Sequence, residues 1–335
     1  MPFGIDIQED EILSWGHEIL ENLLADHTTG ENIIWATDDY SARGDGYQSL
    51  DAIVVASITG DNNHIIQPRI RKPLEEQKKR IDEKAEVFTP AWICNSQNNL
   101  IDKAWFQTDQ DVFNHEIHEE GIHRWEMTDA LPVYPKGKNW KKYVSDPRLE
   151  MACGEAPYLC SRYDATTGEL IEIGRRIGLL DRKLQLVNKN TPNITPELNA
   201  KQRKNVHKTW RRAAYKALQS IYAFEMQGDN LLLARESVLI TFIEYYQAKW
   251  HTDKLPEKDC LKKAAEIISW NLWQMDGLKQ GIPGYTPTED LQPTLFNETP
   301  PREKYCRIRE WTGQEPLAGK EIIFKSMLHE RPKKK

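Results

Sequence analysis

Residues 148–159 read Arg-Leu-Glu-Met-Ala-Cys-Gly-Glu-Ala-Pro-Tyr-Leu. The first part, residues 149–153, reads as a short strand containing an acidic residue, Glu150. It passes into a turn of small residues, Ala152, Cys153, Gly154 and Ala156. Doubly wound α/β folds hold an adenosine-bearing cofactor on such a strand and turn, because small residues let backbone approach the ligand. A second stretch, Ile221–Glu225, ends in a carboxylate and leads into a helix starting near Asn230. A carboxylate at that place typically takes ribose hydroxyls; the alternative is a surface glutamate at a helix end. Gly154 and Glu225 are 71 positions apart, where the ordinary unit needs roughly twenty. The extra segment, 163–220, therefore reads as an insertion. It contains Arg175, Arg176, Arg182, Lys183 and the basic run 201–212, and is the first expectation for nucleic-acid contact.

Outward from these stretches, helices and strands alternate, which favours an α/β architecture. Ile12, Trp15, Ile19, Leu20, Leu23 and Leu24 recur at helical spacing within 11–25. The β-rich run 53–58 stops at Gly60-Asp61-Asn62 and reads as strand and turn. Pro73 opens a charged helix reaching Lys84. Residues 125–146 have no clean period and read as loop, and 188–196 as an exposed, turn-rich crossing. Helices are expected over 201–222 and 231–250, with Pro256 breaking the chain before a third. Residues 280–301 read as a linker, and 306–308 with 321–324 as a closing hairpin. Three regions result: an acidic α+β region (1–83), a cofactor-type core (84–280), and a linker, hairpin and basic tail (281–335).

The 335 residues carry 45 basic and 51 acidic side chains, a net of −6. Residues 1–66 hold 13 acidic residues against one basic, Arg43, a net of −12; the remainder holds 44 basic against 38 acidic, a net of +6. An acidic head thus precedes a mildly basic body. Basic clusters at 69–72, 78–80, 136–142, 201–212 and 331–335, some beside Trp140, Tyr143 or Trp210, suit either phosphate and base contacts or solvated helix faces. No apolar run approaches the ~20 residues of a membrane span. The acidic N-terminus argues against a secretory signal. Five cysteines without a C-x-x-C pair argue against a disulfide framework or zinc ribbon, so a reducing cytoplasm is expected.

Residues 148–159 resemble the first S-adenosyl-L-methionine motif of the amino-DNA methyltransferases, Leu-Asp-Pro-Ala-Cys-Gly-Ser-Gly-x-Phe-Leu. Leu149, Ala152, Cys153, Gly154 and Leu159 match, Glu150 stands for the aspartate and Tyr158 for the phenylalanine. Met151 replaces proline. Ala156 replaces the second glycine, adding a methyl where that family brings backbone close to the cofactor. Upstream, residues 84–93 (KAEVFTPAWI) resemble the Phe-Thr-Pro element of the gamma group, which includes the modification subunits of restriction systems. There Thr89 is expected to cap a helix begun by Pro90, and Phe88 to cover the cofactor's apolar edge. The resemblance implies a Rossmann-like methyltransferase fold with S-adenosyl-L-methionine held by Phe88, Thr89, Pro90, Glu150, Ala152, Cys153, Gly154 and Glu225.

It also implies adenine-N6 methylation of double-stranded DNA, which calls for an Asn/Asp-Pro-Pro-Tyr/Phe tetrad. No such tetrad occurs. The nearest stand-in is residues 269–274 (SWNLWQ), with Asn271 accepting from the amine and Trp273 stacking on the base. The competing interpretation is a helix, since Leu261, Ala264, Ala265, Ile268, Leu272 and Met275 recur at helical spacing. The expected function is therefore a site-specific DNA-methyltransferase of a restriction-modification or phage-related system. The alternative is a degenerate DNA- or partner-binding subunit, in restriction or anti-restriction, with a specificity subunit as a further partner. His115, His118 and His123 lie in an H-E-I-H-E order unlike a zinc protease's, and no metal is expected. A G-x-x-x-x-G-K-[ST] loop and a Pro-Cys dipeptide are both lacking, which argues against an NTPase motor and a cytosine-C5 methyltransferase.

Overall fold

The computed structural model describes residues 3–84, 86–284, 305–313 and 315–329. Its centre is a three-stranded parallel sheet: β1 (Arg148–Met151), β2 (Ile221–Glu225) and β3 (Leu272–Gln274), in that spatial order. Parallel neighbours need helical crossovers. The principal helices are α1 (Glu9–Trp15), α2 (His17–Leu24), α3 (Leu74–Lys84), α4 (Ala91–Phe106), α5 (Leu179–Asn190), α6 (Ala200–Leu218), α7 (Gly228–Trp250) and α8 (Lys258–Asn271). The chain is thus mixed α/β with a parallel sheet. Among the described residues no helix is long and apolar enough to cross a membrane.

Helix α7 organises the core. Every residue from Gly228 to Tyr245 is buried, the apolar majority and also Asp229, Arg235, Glu236 and Glu244. A helix buried on every side must lie at the centre of its domain. Leu231, Leu239, Phe242 and Ile243 share one cluster with Ile19, Leu23 and Trp35 of the acidic head and with Leu180, Leu184, Trp210 and Ala214 of the crossover. A division at 83/84 therefore does not separate two cores. The head is bonded directly to the sheet: Gln274 accepts from the Ile34 N–H at 2.9 Å and donates to its carbonyl at 2.7 Å. Gly228 is required there, since a Cβ would lie 2.1 Å from the Ile34 carbonyl oxygen.

The crossover corrects the expectation of a nucleic-acid-binding insertion at several residues. α5 and α6 are the β1–β2 connection itself, packed into the core. Arg176, Arg182 and Lys183 are all buried. Arg182 pairs with Asp102, Arg176 with Glu244, and Lys183 donates to the Asp146 and Ser220 carbonyls. Burial pulls the Lys183 ammonium well below its ordinary value. These three cations hold the fold and do not face a ligand. Arg175 and, on α6, Lys201, Arg203, Lys204 and Lys208 are exposed.

Other expectations change locally. The run 53–58 contains a short helix, Val55–Ile58, because the Ser57 hydroxyl caps it by accepting from the Val54 N–H. The first helix is two, broken at Gly16. Within 125–146 the chain completes an antiparallel hairpin (Asn114–Glu119 with Ile122–Met127) and forms a helix, Trp140–Val144. The closing hairpin forms as expected, Arg307–Trp311 with Gly319–Ile323. Cys306, Ile308 and Phe324 cover Phe224, Trp273 and Met275 on one sheet face. Most of the expected linker, 280–301, and all of the basic tail, 331–335, lie outside the described residues.

Candidate cofactor-binding site

A cavity of about 430 Å³ opens at the carboxyl ends of β1 and β2, where open parallel sheets bind ligands. Its size lies within the roughly 300–1,000 Å³ of small-molecule sites. Phe88, Thr89, Glu150, Ala152, Cys153, Gly154 and Glu225 all line it; Pro90 does not.

The turn after β1 is made by three left-handed residues, Ala152 (φ 50°), Gly154 (φ 52°) and Ala156 (φ 61°). Such a conformation costs a non-glycine residue about 1–2 kcal/mol, and a strained turn at a strand end marks a binding loop. Ala156 thus adopts the backbone that a glycine takes easily. Its methyl is fully buried in the main core and does not line the cavity, so it does not obstruct a ligand there. At Gly154 a Cβ would meet the Phe88 ring at 3.4 Å. Phe88 therefore closes over the turn, with the Arg69 guanidinium 5.3 Å from its ring centre.

Two buried glutamates tie the turn together. Glu225 accepts from the N–H groups of Gly154 (2.9 Å), Met226 (2.9 Å) and Gln227 (3.1 Å). Glu150 accepts from the N–H groups of Tyr158 (3.3 Å) and Leu159 (3.1 Å). Burial pushes the Glu150 carboxyl up to about 8, against those two amides and with help from the Glu225 charge. Burial raises Glu225 as well. Burial likewise holds the Cys153 thiol well above its usual range, so it is a packing residue and no nucleophile.

A second part of the lining consists of polar residues to which the motifs gave no role: Lys84, Glu86, Gln97, Asn98, Gln227 and Asn230. Arg80 holds part of it in place, donating to Glu86 at 2.7 Å and to Gln227 at 2.9 Å, while Asn230 donates to Glu86 at 3.1 Å. Asn98 donates to the Tyr158 and Ile177 carbonyls. Its Oδ1, and Glu86 Oε1, are buried without a hydrogen-bond partner. A sequence signal existed: Asn95, Asn98, Asn99 and Asp102 repeat on one face of α4, and that polar face is buried.

Two expected local details are corrected. Thr89 makes no cap; α4 begins at Ala91 with Pro90 at the N-cap, and Asp164 accepts from the Ala91 N–H at 2.8 Å. The expected catalytic pair also lies elsewhere. Asn271 ends α8, fully buried, and clamps three segments: it donates to the Leu218 and Ile221 carbonyls at 2.8 Å each and accepts from the Trp311 indole at 2.7 Å. Trp273 is buried on β3 against Phe224 and Phe324. Neither lines the cavity, because the helix ends at Asn271 and the next residues enter the sheet. His118 and His123 pair across the 114–127 hairpin, and no metal-holding group of three or more ligands occurs among the described residues.

No family model, no curated protein and no solved structure matches the chain.

Proposed function

We propose that this cavity binds S-adenosyl-L-methionine and that the chain is a methyltransferase-like protein of DNA modification, acting in the cytoplasm. The sheet then corresponds to the first half of a Rossmann-like fold, with β1 and β2 holding the nucleoside. The observation that carries this is the Gly154–Glu225 tie, which joins the two strand ends over the cavity.

The chemistry of the lining fits this cofactor better than a phosphate-bearing one. Phosphate sites present free backbone amides. Here the amides of Gly154, Tyr158 and Leu159 are already taken by carboxylates. The lining holds Glu86, Glu150 and Glu225 against Lys84. Arg80 behind the wall balances Glu86, and burial favours the neutral forms of Glu150 and Glu225 until a cation arrives to ionise them. Such a wall suits a positively charged ligand without phosphates. Glu86 Oε1 and Asn98 Oδ1 lack donors, and a buried acceptor without a donor costs stability until one arrives. S-adenosyl-L-methionine carries a sulfonium, an ammonium and an exocyclic amine, and supplies an electrophilic methyl group. Glu225 would take a ribose hydroxyl on the acceptor position its three amides leave free, Gly154 would let the ligand approach, and Phe88 would exclude water from the same side.

Adenine-N6 methylation of DNA in a restriction-modification or phage-related system remains the first expectation for the acceptor. The placement of Asn271 and Trp273 favours the second: a cofactor-binding subunit, degenerate in its own transfer half, that works with DNA or a partner chain. β1 pairs only with β2, so among the described residues no further strand lies at its outer edge. Two measurements test this. Calorimetry reads binding of S-adenosyl-L-methionine, and transfer of labelled methyl groups to mixed-sequence DNA separates enzyme from subunit. Binding without transfer supports the subunit; no binding removes both.

A further inference from the structure

Helix α6 carries seven lysines and arginines and no Asp or Glu over its 19 residues. They divide into two groups by what they touch. Arg203 donates to the Thr195, Pro196 and Leu198 carbonyls, Lys216 to the Gly313 carbonyl, and Arg211 pairs with Glu257. The other four, Lys201, Lys204, Lys208 and Arg212, are exposed and have no ion pair or hydrogen bond among the described residues. Their spacing of three, four and four residues places them on one stripe. Eleven residues of helix extend about 16 Å. One DNA strand presents a phosphate every ~3.4 Å of axis, so the stripe spans about five of them.

The helix is rigidly seated. Trp210, Ala214, Ala217 and Leu218 are buried in the main core, and the Trp210 indole donates to Asn188 at 2.6 Å. With the backbone held in place, only the side-chain rotamers of these unpaired cations need ordering when a polyanion binds. An anionic membrane is the poorer match, since interfacial helices insert apolar side chains. No large apolar side chain is exposed between Leu170 and Met226 among the described residues. None of the four cations lines the cofactor cavity.

We propose that this stripe binds the phosphate backbone of nucleic acid without reading its sequence. The choice of DNA as partner rests on the function proposed above; the site itself is separate from the cavity. Phosphate contacts of this kind position a duplex and carry no base information.

The test uses the full chain and a fluorescent mixed-sequence DNA duplex, followed by anisotropy over a salt series. Four contacts predict a log–log salt slope of about −3.6, hence on the order of a hundredfold weaker binding between roughly 50 and 200 mM salt. The combined variant Lys201→Gln, Lys204→Gln, Lys208→Gln and Arg212→Gln should lose at least about tenfold in affinity and most of that slope, with its unfolding midpoint unchanged. Undiminished duplex binding by this variant overturns the proposal. So does wild-type protein that fails to bind duplex at low salt, or that binds phosphatidylserine vesicles as tightly as DNA. S-adenosyl-L-methionine titrated into both proteins should bind equally. Absence of that binding counts against the cavity's ligand, while the salt series alone decides the stripe.

Discussion

The backbone N–H of Gly154 donates to Glu225 Oε2 at 2.9 Å, so the strained turn after β1 is fastened to the end of β2. Three amides in all converge on this carboxylate. Glu225→Ala leaves them unpaired and should cost about 2–4 kcal/mol in a denaturant titration. Glu225→Gln keeps one accepting oxygen and should cost less, yet lower cofactor affinity about tenfold through loss of the one ribose hydrogen bond that the three amides leave room for. Equal cofactor affinity in a folded Glu225→Gln protein would remove Glu225 from the site.

Glu150 makes the protein's stability depend on pH. Burial raises its carboxyl to about 8 from 4.5. A group whose folded pKa lies above its unfolded one contributes stability that is complete below the unfolded value and is lost as pH rises through the folded value. The window is therefore pH 4.5 to 8. Glu150→Gln, which cannot ionise, should flatten the fall in unfolding free energy across that window. A cation bound beside Glu150 favours the ionised form, so S-adenosyl-L-methionine should bind more tightly as pH rises towards 8 and release a proton when it binds below that. Parallel stability profiles for the two proteins would place the titration elsewhere.

Asn271 separates a clamp from a catalytic group. Its side chain satisfies the Leu218 and Ile221 carbonyls and the Trp311 indole. Asn271→Ala should lower unfolding free energy by about 3 kcal/mol and leave cofactor affinity unchanged below the transition. Lost affinity with intact stability would return Asn271 to the site.

Ala156 tests the turn. Ala156→Gly relieves about 1–2 kcal/mol of left-handed strain, gives up a buried methyl worth about 0.8 kcal/mol and loosens the unfolded chain. Net stability should stay within about 1 kcal/mol of the parent, with cofactor affinity unaltered. A large gain in affinity would show that the methyl had faced the ligand.

The cavity's first wall was legible because its residues lie close together in two runs, 84–93 and 148–159, plus one strand end, Ile221–Glu225. Strand length and small-residue turns are local properties, so 149–153 and 221–225 read as extended chain and turn, whereas the helix start in 84–93 reads with its cap at Thr89, which makes none. The second wall was not legible. Glu86 lies in the 84–93 run but carries no role in it, and Asn98 looks like an ordinary mid-helix polar residue, until Asn230, Tyr158 and Ile177, distant in sequence, come to meet them. Arg182 misled for the same reason: its partner Asp102 lies 80 residues away, and charge alone suggested a solvated, ligand-facing side chain. The run 53–58 misled because six residues, five of them apolar, are too few to separate strand from helix by period, and the Ser57 cap decided it. In the acidic head the helical apolar face with Ile19 was legible from its spacing, but Trp35, fully buried in the same core, lies in a stretch without a clean period.

The most direct measurement is calorimetric titration of the full chain with S-adenosyl-L-methionine, its demethylated product and NAD. One saturable site for the first two, with none for NAD, is the predicted result. Heat for NAD alone, or no heat and no thermal shift with any of the three, would contradict the assignment of the cavity to a phosphate-free, cationic nucleoside.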